Sequence, residues 1–153
     1  MSATRFCTFD DSLWPLLILR IVGEPSNQQF EEYLDVSASY LHRGERHVVI
    51  ADVLRAGIES TEQRRKRAEW MGRYDGLTRE LVLGNAFVIN SPFLRLGLNL
   101  LLHLRQPSWP YLVVPRMESA VAWAAGQMDE AGLREPAHRI RRHFGLLPMS
   151  QSG

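Results

Sequence analysis

The chain has one cysteine, Cys7, in 153 residues. An intrachain disulfide is thereby excluded, as is a zinc site built from several cysteines of one chain, and a reducing, cytoplasmic setting is expected. Charge of one sign is also lacking: 18 Lys and Arg stand against 17 Asp and Glu. The whole-molecule field therefore offers no general attraction to nucleic acid or to an anionic membrane. No apolar run reaches the roughly 20 residues that a membrane span needs, because Arg95 interrupts the leucine-rich stretch. Residues 1–11 carry polar and charged residues where an export signal would need a continuous apolar stretch. A Gly-x-Ser-x-Gly elbow, a phosphate loop and a dinucleotide fingerprint are all missing. The histidine pairs His42/His47 and His138/His143 miss the i, i+4 spacing that sets two imidazoles on one helical face, so no metal site is expected. Cys7 has no identifiable base beside it and reads as a structural thiol.

What is present is an ordinary globular composition, 45% hydrophobic and 23% charged, sufficient for one domain with a packed core. Arg5 to Phe9 and Leu16 to Val22, separated by Asp10, Asp11, Ser12 and Pro15, predict two strands joined by a turn. Ser26 and Gln29 form a capping-box pattern, and Phe30, Tyr33, Leu34, Ala38 and Leu41 follow at helical spacing, so a helix is expected to run to about Gly44. Val48, Val49, Ile50 and Ala51 predict a central strand covered on both faces and ending at Asp52. Ser60 and Gln63 repeat the capping pattern, opening a helix with Trp70, Met71 and Tyr74 on one side and Gly76 as its stop.

Ala86, Phe87, Val88 and Ile89 predict the next strand, ending at Asn90, with Ser91 and Pro92 opening another helix. There Leu94, Leu96, Leu98 and Leu100 alternate as in a strand, while Arg95, Asn99 and His103 recur every fourth position as in a helix; length and leucine content favour the helix. Its apolar arc is wider than packing on a sheet requires, which suits a second subunit and a homodimer through residues 93–104. Tyr111 to Val114 predict a last strand, and Ala120, Val121, Ala124 and Met128 a last core-facing helix. Residues 1–130 are expected to form the domain. Residues 131–153, with Arg139, Arg141 and Arg142, are expected to form a polar, partly helical or frayed tail. The fold class is α/β: a single mixed, largely parallel five-stranded sheet packed with about four helices.

This order resembles the STAS domain of bacterial anti-sigma-factor antagonists. In that family the central strand leads into an acidic residue, two hydroxyl residues and a helix start, and Ile58-Glu59-Ser60-Thr61 is similar here. The resemblance implies a regulatory, protein-binding role, with Thr61 at the family's phosphorylated position. Glu62 departs from the family's usual glycine and is followed by Gln63, Arg64 and Arg65. A phosphate on Thr61 would meet free helix amides and Arg64 or Arg65, opposed by Glu59 and Glu62. The closing Val114-Pro115-Arg116-Met117-Glu118-Ser119-Ala120-Val121-Ala122-Trp123 resembles the ending of an uncharacterised bacterial STAS-like branch compared with CRAL-TRIO lipid-exchange domains. That likeness implies an apolar ligand.

In open α/β sheets ligands gather beyond the carboxyl ends of the strands, which here groups Arg55, Glu59, Ser60, Asn90, Ser91 and Arg116 at one edge. Arg64 and Arg65 follow on the next helix, and Arg95, one turn into the leucine-rich helix, can face the same edge. Plainer readings stand beside these: Ser60 and Ser91 as helix caps, the arginines as solvated, Arg95 with its stem along apolar surface. Arg64-Arg65-Lys66-Arg67 with Trp70 and Tyr74 reads more readily as a solvated face than as a nucleic-acid surface. Three functions stay open. The first is a non-enzymatic regulatory module that docks a protein partner and is gated by phosphorylation at Ser60 or Thr61. The second is a carrier or sensor of an apolar, lipid-like ligand. The third is an enzyme of unlisted type acting at the same edge. No catalytic residue, metal ligand or cofactor is assigned.

Overall fold

Two faces of one sheet organise this chain; the structure, a computed structural model, describes residues 6–104 and 106–147. Strand β1 (Cys7–Leu13) folds back antiparallel on β2 (Leu16–Gly23). The turn between them contains a cis Trp14-Pro15 peptide and closes with Trp14 N–H donating to the Asp11 carbonyl at 3.0 Å. Helix α1 (Asn27–Leu41) starts at Ser26, whose hydroxyl accepts from Gln29 N–H at 3.1 Å while the Gln29 side chain accepts from Ser26 N–H at 2.8 Å. Two orphan amides of the first turn are thereby satisfied.

Strand β3 (His47–Ala56) lies parallel to β2. It does not end at Asp52, as the apolar run suggested, because β2 keeps pairing with it as far as Gly23 opposite Ala56. Helix α2 (Thr61–Arg73) is capped by Ser60. Gly76 does not stop it: the chain turns at Tyr74 and α3 (Asp75–Leu81) begins, with Gly76 in its first turn. Strand β4 (Val82–Val88), helix α4 (Pro92–Leu104), strand β5 (Tyr111–Val114) and helix α5 (Met117–Glu130) follow. Beyond residue 130 a sixth helix, α6 (Arg134–His143), packs on α5, with Ala137 and Ile140 fully buried. It reads as polar in sequence because few of its ten residues point inward. Residues 149–153, expected to fray, lie outside the described residues. Among the described residues the helices therefore number six where about four were expected, around a single mixed sheet of order β1-β2-β3-β4-β5, parallel from β2 onward.

Every crossover steps in the same direction, so right-handed connections put α1 through α4 on one face, leaving α5 and α6 to cover the other. Side-chain alternation matches. Leu16, Ile18, Val48, Ile50, Ala86 and Val88 pack toward α5 and α6, whereas Leu17, Leu19, Ile21, Val49 and Val53 pack toward α1. On the α5 face a Cβ at Gly84 would lie 2.7 Å from the Trp123 ring, so the indole seats on the strand only because residue 84 has no side chain.

Candidate functional site

Between the sheet and α1 through α4 the packing leaves two adjoining cavities, each of about 140 Å³. Register explains the shared floor: Leu17, Val49 and Asn85 lie side by side across β2, β3 and β4, and the next row is Leu19, Ala51 and Phe87. Small Ala51 beneath long helices leaves room that a larger residue would fill. Tyr33, Ala51, Arg67, Phe87 and Leu101 line both chambers and form the partition. The lower chamber reaches toward His47, Asp75 and Trp109. The upper one opens at Ile58, Glu59, Arg64 and Phe93.

Arg67 dominates the partition. Its guanidinium pairs with both carboxylate oxygens of Glu59, donates to the Tyr33 hydroxyl at 2.7 Å, and sits 5.3 Å from the Phe30 ring centre and 4.9 Å from that of Tyr33. Burial works against its charge, but Tyr33 and Glu59 more than offset that, so it stays protonated. Burial also raises the Tyr33 hydroxyl above the usual phenol range. The Cys7 thiol is pushed up to about 12, by burial against the weaker opposing pull of Arg67, so it is no nucleophile at neutral pH. His47 is pulled below the usual imidazole range, chiefly by burial; its Nδ1 lies 2.8 Å from the Glu45 carbonyl and its ring stacks on Trp14. Among the described residues no group of three or more His, Cys, Asp or Glu side chains is placed to hold a metal.

The residues singled out at the strand ends are only partly assembled. Glu59 and Arg64 line the upper chamber, yet Glu59 is taken up by Arg67. Arg64 donates to the Glu59 carbonyl at 2.7 Å and to the Thr61 hydroxyl at 3.3 Å. Ser60 is the α2 cap, accepting from Gln63 N–H at 3.0 Å, and Thr61 beside it is exposed. Gln63 is buried and also donates to the Pro25 carbonyl and Asn27, tying the start of α2 to that of α1. Arg65 points away, paired with Glu62 and Glu69. Asn90 is exposed after β4, and Ser91 accepts a long 3.4 Å bond from Leu94 N–H at the start of α4. Arg55, Arg95 and Arg116 are exposed and line neither chamber; Arg116 lies 3.9 Å from Glu118.

Sequence reasoning missed Arg67, Tyr33, Ser37 and Asn85. Arg67 was hidden in a basic run whose other members are engaged: Lys66 pairs with Glu31, and Arg64 and Arg65 as above. The available signal was the i, i+4, i+7 stripe Gln63, Arg67, Trp70, which turns α2 inward. Outside the chambers, Phe93, Leu96, Leu100 and Leu104 of α4 are 75%, 58%, 51% and 68% exposed. Their spacing of three, four and four sets them on one line along the helix. No helix of the described residues is long and apolar enough to cross a membrane.

An antiparallel edge strand on a parallel sheet in sequential order, with crossover helices on one face and closing helices on the other, defines a SpoIIAA-like, or STAS-like, fold. Solved structures match it at low identity. An uncharacterized protein of the DUF3478 family with a SpoIIAA-like fold from Shewanella loihica PV-4 is 11% identical, with a TM-score of 0.59, covering 77% of this chain and 91% of that one. SiaC, the activator of the diguanylate cyclase SiaD from Pseudomonas aeruginosa, taken from the complex of the two, is 15% identical, with a TM-score of 0.50, covering 74% and 96%. No family model matches the sequence, and no curated protein matches it.

Proposed function

We propose that this chain is a non-enzymatic regulatory module that docks a protein partner through α4 and the adjoining rim of the upper chamber. The observation that carries the reading is the exposed line of Phe93, Leu96, Leu100 and Leu104, continuous through Phe93 with the chamber mouth, where Ile58 is also 58% exposed. Scattered apolar side chains on a surface need no explanation, but a contiguous row marks a binding surface. Helix α4 contains no acidic residue, and Arg95 has no ion partner among the described residues. A partner offering an apolar ridge with acidic flanks fits this face. The likeness to SiaC, an activator in complex with its enzyme, is in keeping with the reading, and so is a cytoplasmic setting in a bacterium.

Phosphorylation at Thr61 is the proposed gate. The hydroxyl already accepts from Arg64, which lines the mouth. A phosphate there draws Arg64 from the Glu59 carbonyl and changes the charge of the rim. Ser60 suits the gate less well, because its oxygen is committed to the helix cap.

The test is affinity capture from the native host with wild type, Leu96→Glu/Leu100→Glu and Thr61→Glu, each first checked for native circular dichroism. The proposal expects a partner held by wild type, lost with the double variant and altered by Thr61→Glu. Retention by the double variant sinks the α4 surface, and unchanged capture with Thr61→Glu sinks the gate. Sedimentation of the same proteins separates a foreign partner from a second copy, since only a homodimer dissociates on dilution of the pure wild type.

A further inference from the structure

In the lower chamber one polar atom of the floor and one of the roof are buried without a hydrogen-bond partner. Asn85 is the polar member of the row Leu17, Val49, Asn85, and its Oδ1 is shielded from solvent without a hydrogen-bond partner. Ser37 comes from α1, where Leu34 and Leu41 also face the chamber, and its Oγ is likewise buried and unpartnered. A buried acceptor or hydroxyl left unpaired costs about 1–3 kcal/mol. Two in one cavity, both replaceable there by apolar residues, mark a place where something else supplies the partners.

Charge decides what kind of molecule that is. Arg67 is occupied by Glu59 and Tyr33, and Asp75 is paired with Arg79 at 2.5 Å. His47 Nδ1 is engaged with the Glu45 carbonyl. Among the described residues of the lining, no free cation awaits a carboxylate or phosphate, and no free anion awaits an ammonium group. A charged ligand would lose its hydration with nothing in return. Size narrows the class further: a cavity of about 140 Å³ is close to the engineered cavity of about 150 Å³ that holds benzene. The rest of the lining is mainly apolar and partly aromatic, with Leu17, Leu34, Val49, Trp70, Phe87 and Leu101; of its other polar side chains, Tyr40 donates to Asp11, Thr78 donates to the Asp75 carbonyl, and Gln106 and Ser108 are exposed.

We propose that the chamber between the sheet and α1 through α4 binds a small, uncharged, mostly apolar molecule of about one ring, whose hydroxyl or amide group pairs with Asn85 and Ser37. The site is separate from the α4 surface, so either can fail alone. A ligand of about one ring is smaller than the lipid-like molecule that the lipid-exchange resemblance implies.

Three probes of similar size test it on the intact protein by calorimetry and amide NMR: benzyl alcohol, ethylbenzene and phenylacetate. The expected result is saturable binding of benzyl alcohol with shifts at residues 37 and 85, ethylbenzene weaker by about tenfold, the worth of one hydrogen bond, and no binding of phenylacetate. Asn85→Leu should erase the preference for benzyl alcohol over ethylbenzene while leaving ethylbenzene bound. Ser37→Ala, a smaller change, should reduce the same preference and serves if Asn85→Leu does not fold. The proposal is overturned if benzyl alcohol shows no saturable binding, if phenylacetate binds equally well, or if the preference survives in a folded variant.

Discussion

The two faces of the sheet are built differently. Toward α5 and α6 the side chains are aliphatic and fully buried: Leu16, Val48, Ile50, Val88, Val121, Met128 and Ile140 interlock, and Trp123 presses on Gly84. Toward α1 through α4 aromatic and polar side chains join the aliphatic ones, with a paired charge, two unpaired polar atoms and two cavities. Close packing carries stability, whereas cavities and unmatched polar groups reduce it and persist where a site needs them. The α5 face holds the fold, and the α1 to α4 face is where binding is to be sought.

The largest expected effect tests the tight face. Ile140→Ala should cost about 2–5 kcal/mol of unfolding free energy in a urea titration, because its neighbours cannot collapse into the hole. Leu101→Ala, which only enlarges an existing cavity, should cost clearly less. Equal losses would erase the contrast between the faces. Next comes the partly buried pair: Arg67→Met should cost roughly 1–3 kcal/mol by leaving the Glu59 carboxylate without its partner. Adding Glu59→Gln should return much of that, and a double-mutant cycle showing no coupling would remove the pair from the account.

Ser60→Ala should lower stability by about 1 kcal/mol through loss of the α2 cap. Ser91→Ala should do less, since its bond to Leu94 is 3.4 Å long. The smallest effect is a pH slope from His47. Burial holds this imidazole neutral in the folded protein, while the unfolded chain takes up a proton at the ordinary imidazole value. The unfolded state therefore binds more protons as pH falls below about 6.5, and folding stability falls with it, down to the lower folded value. His47→Gln should flatten that part of the stability curve; an unaltered slope would assign it to another group.

Much of the fold was legible because its signals are local. The capping boxes at Ser26 and Ser60 and the β-branched run from Val48 depend on a few adjacent residues, and each produced its element. The strand through Tyr111 to Val114 was placed residue for residue. Reading failed where pairing at a distance decides an end, as when β2 carries β3 past Asp52. The packing of α6 on α5 was not legible either, because only Ala137 and Ile140 of that helix are buried. At the upper chamber, Glu59 was grouped by the strand-end rule and Arg64 by its place on the next helix, and both line the mouth. Arg67 was missed, because its partners Glu59, Tyr33 and Phe30 come from three separate segments and nothing in a basic run says that one member turns inward.

By itself the sequence determined the class of the chain: one α/β domain with alternating strands and helices, helix starts at Ser26 and Ser60, a thiol without a base and no metal-ligand spacing. Periodicity and capping are set within a turn or two of chain, so they survive without any knowledge of neighbours. Only the tertiary structure decided that Arg67 is an internal ion-pair partner, that Ser37 and Asn85 face one cavity, and that one line of α4 stays uncovered. Those facts depend on which strands lie side by side and which face each crossover takes, and long-range packing alone supplies them.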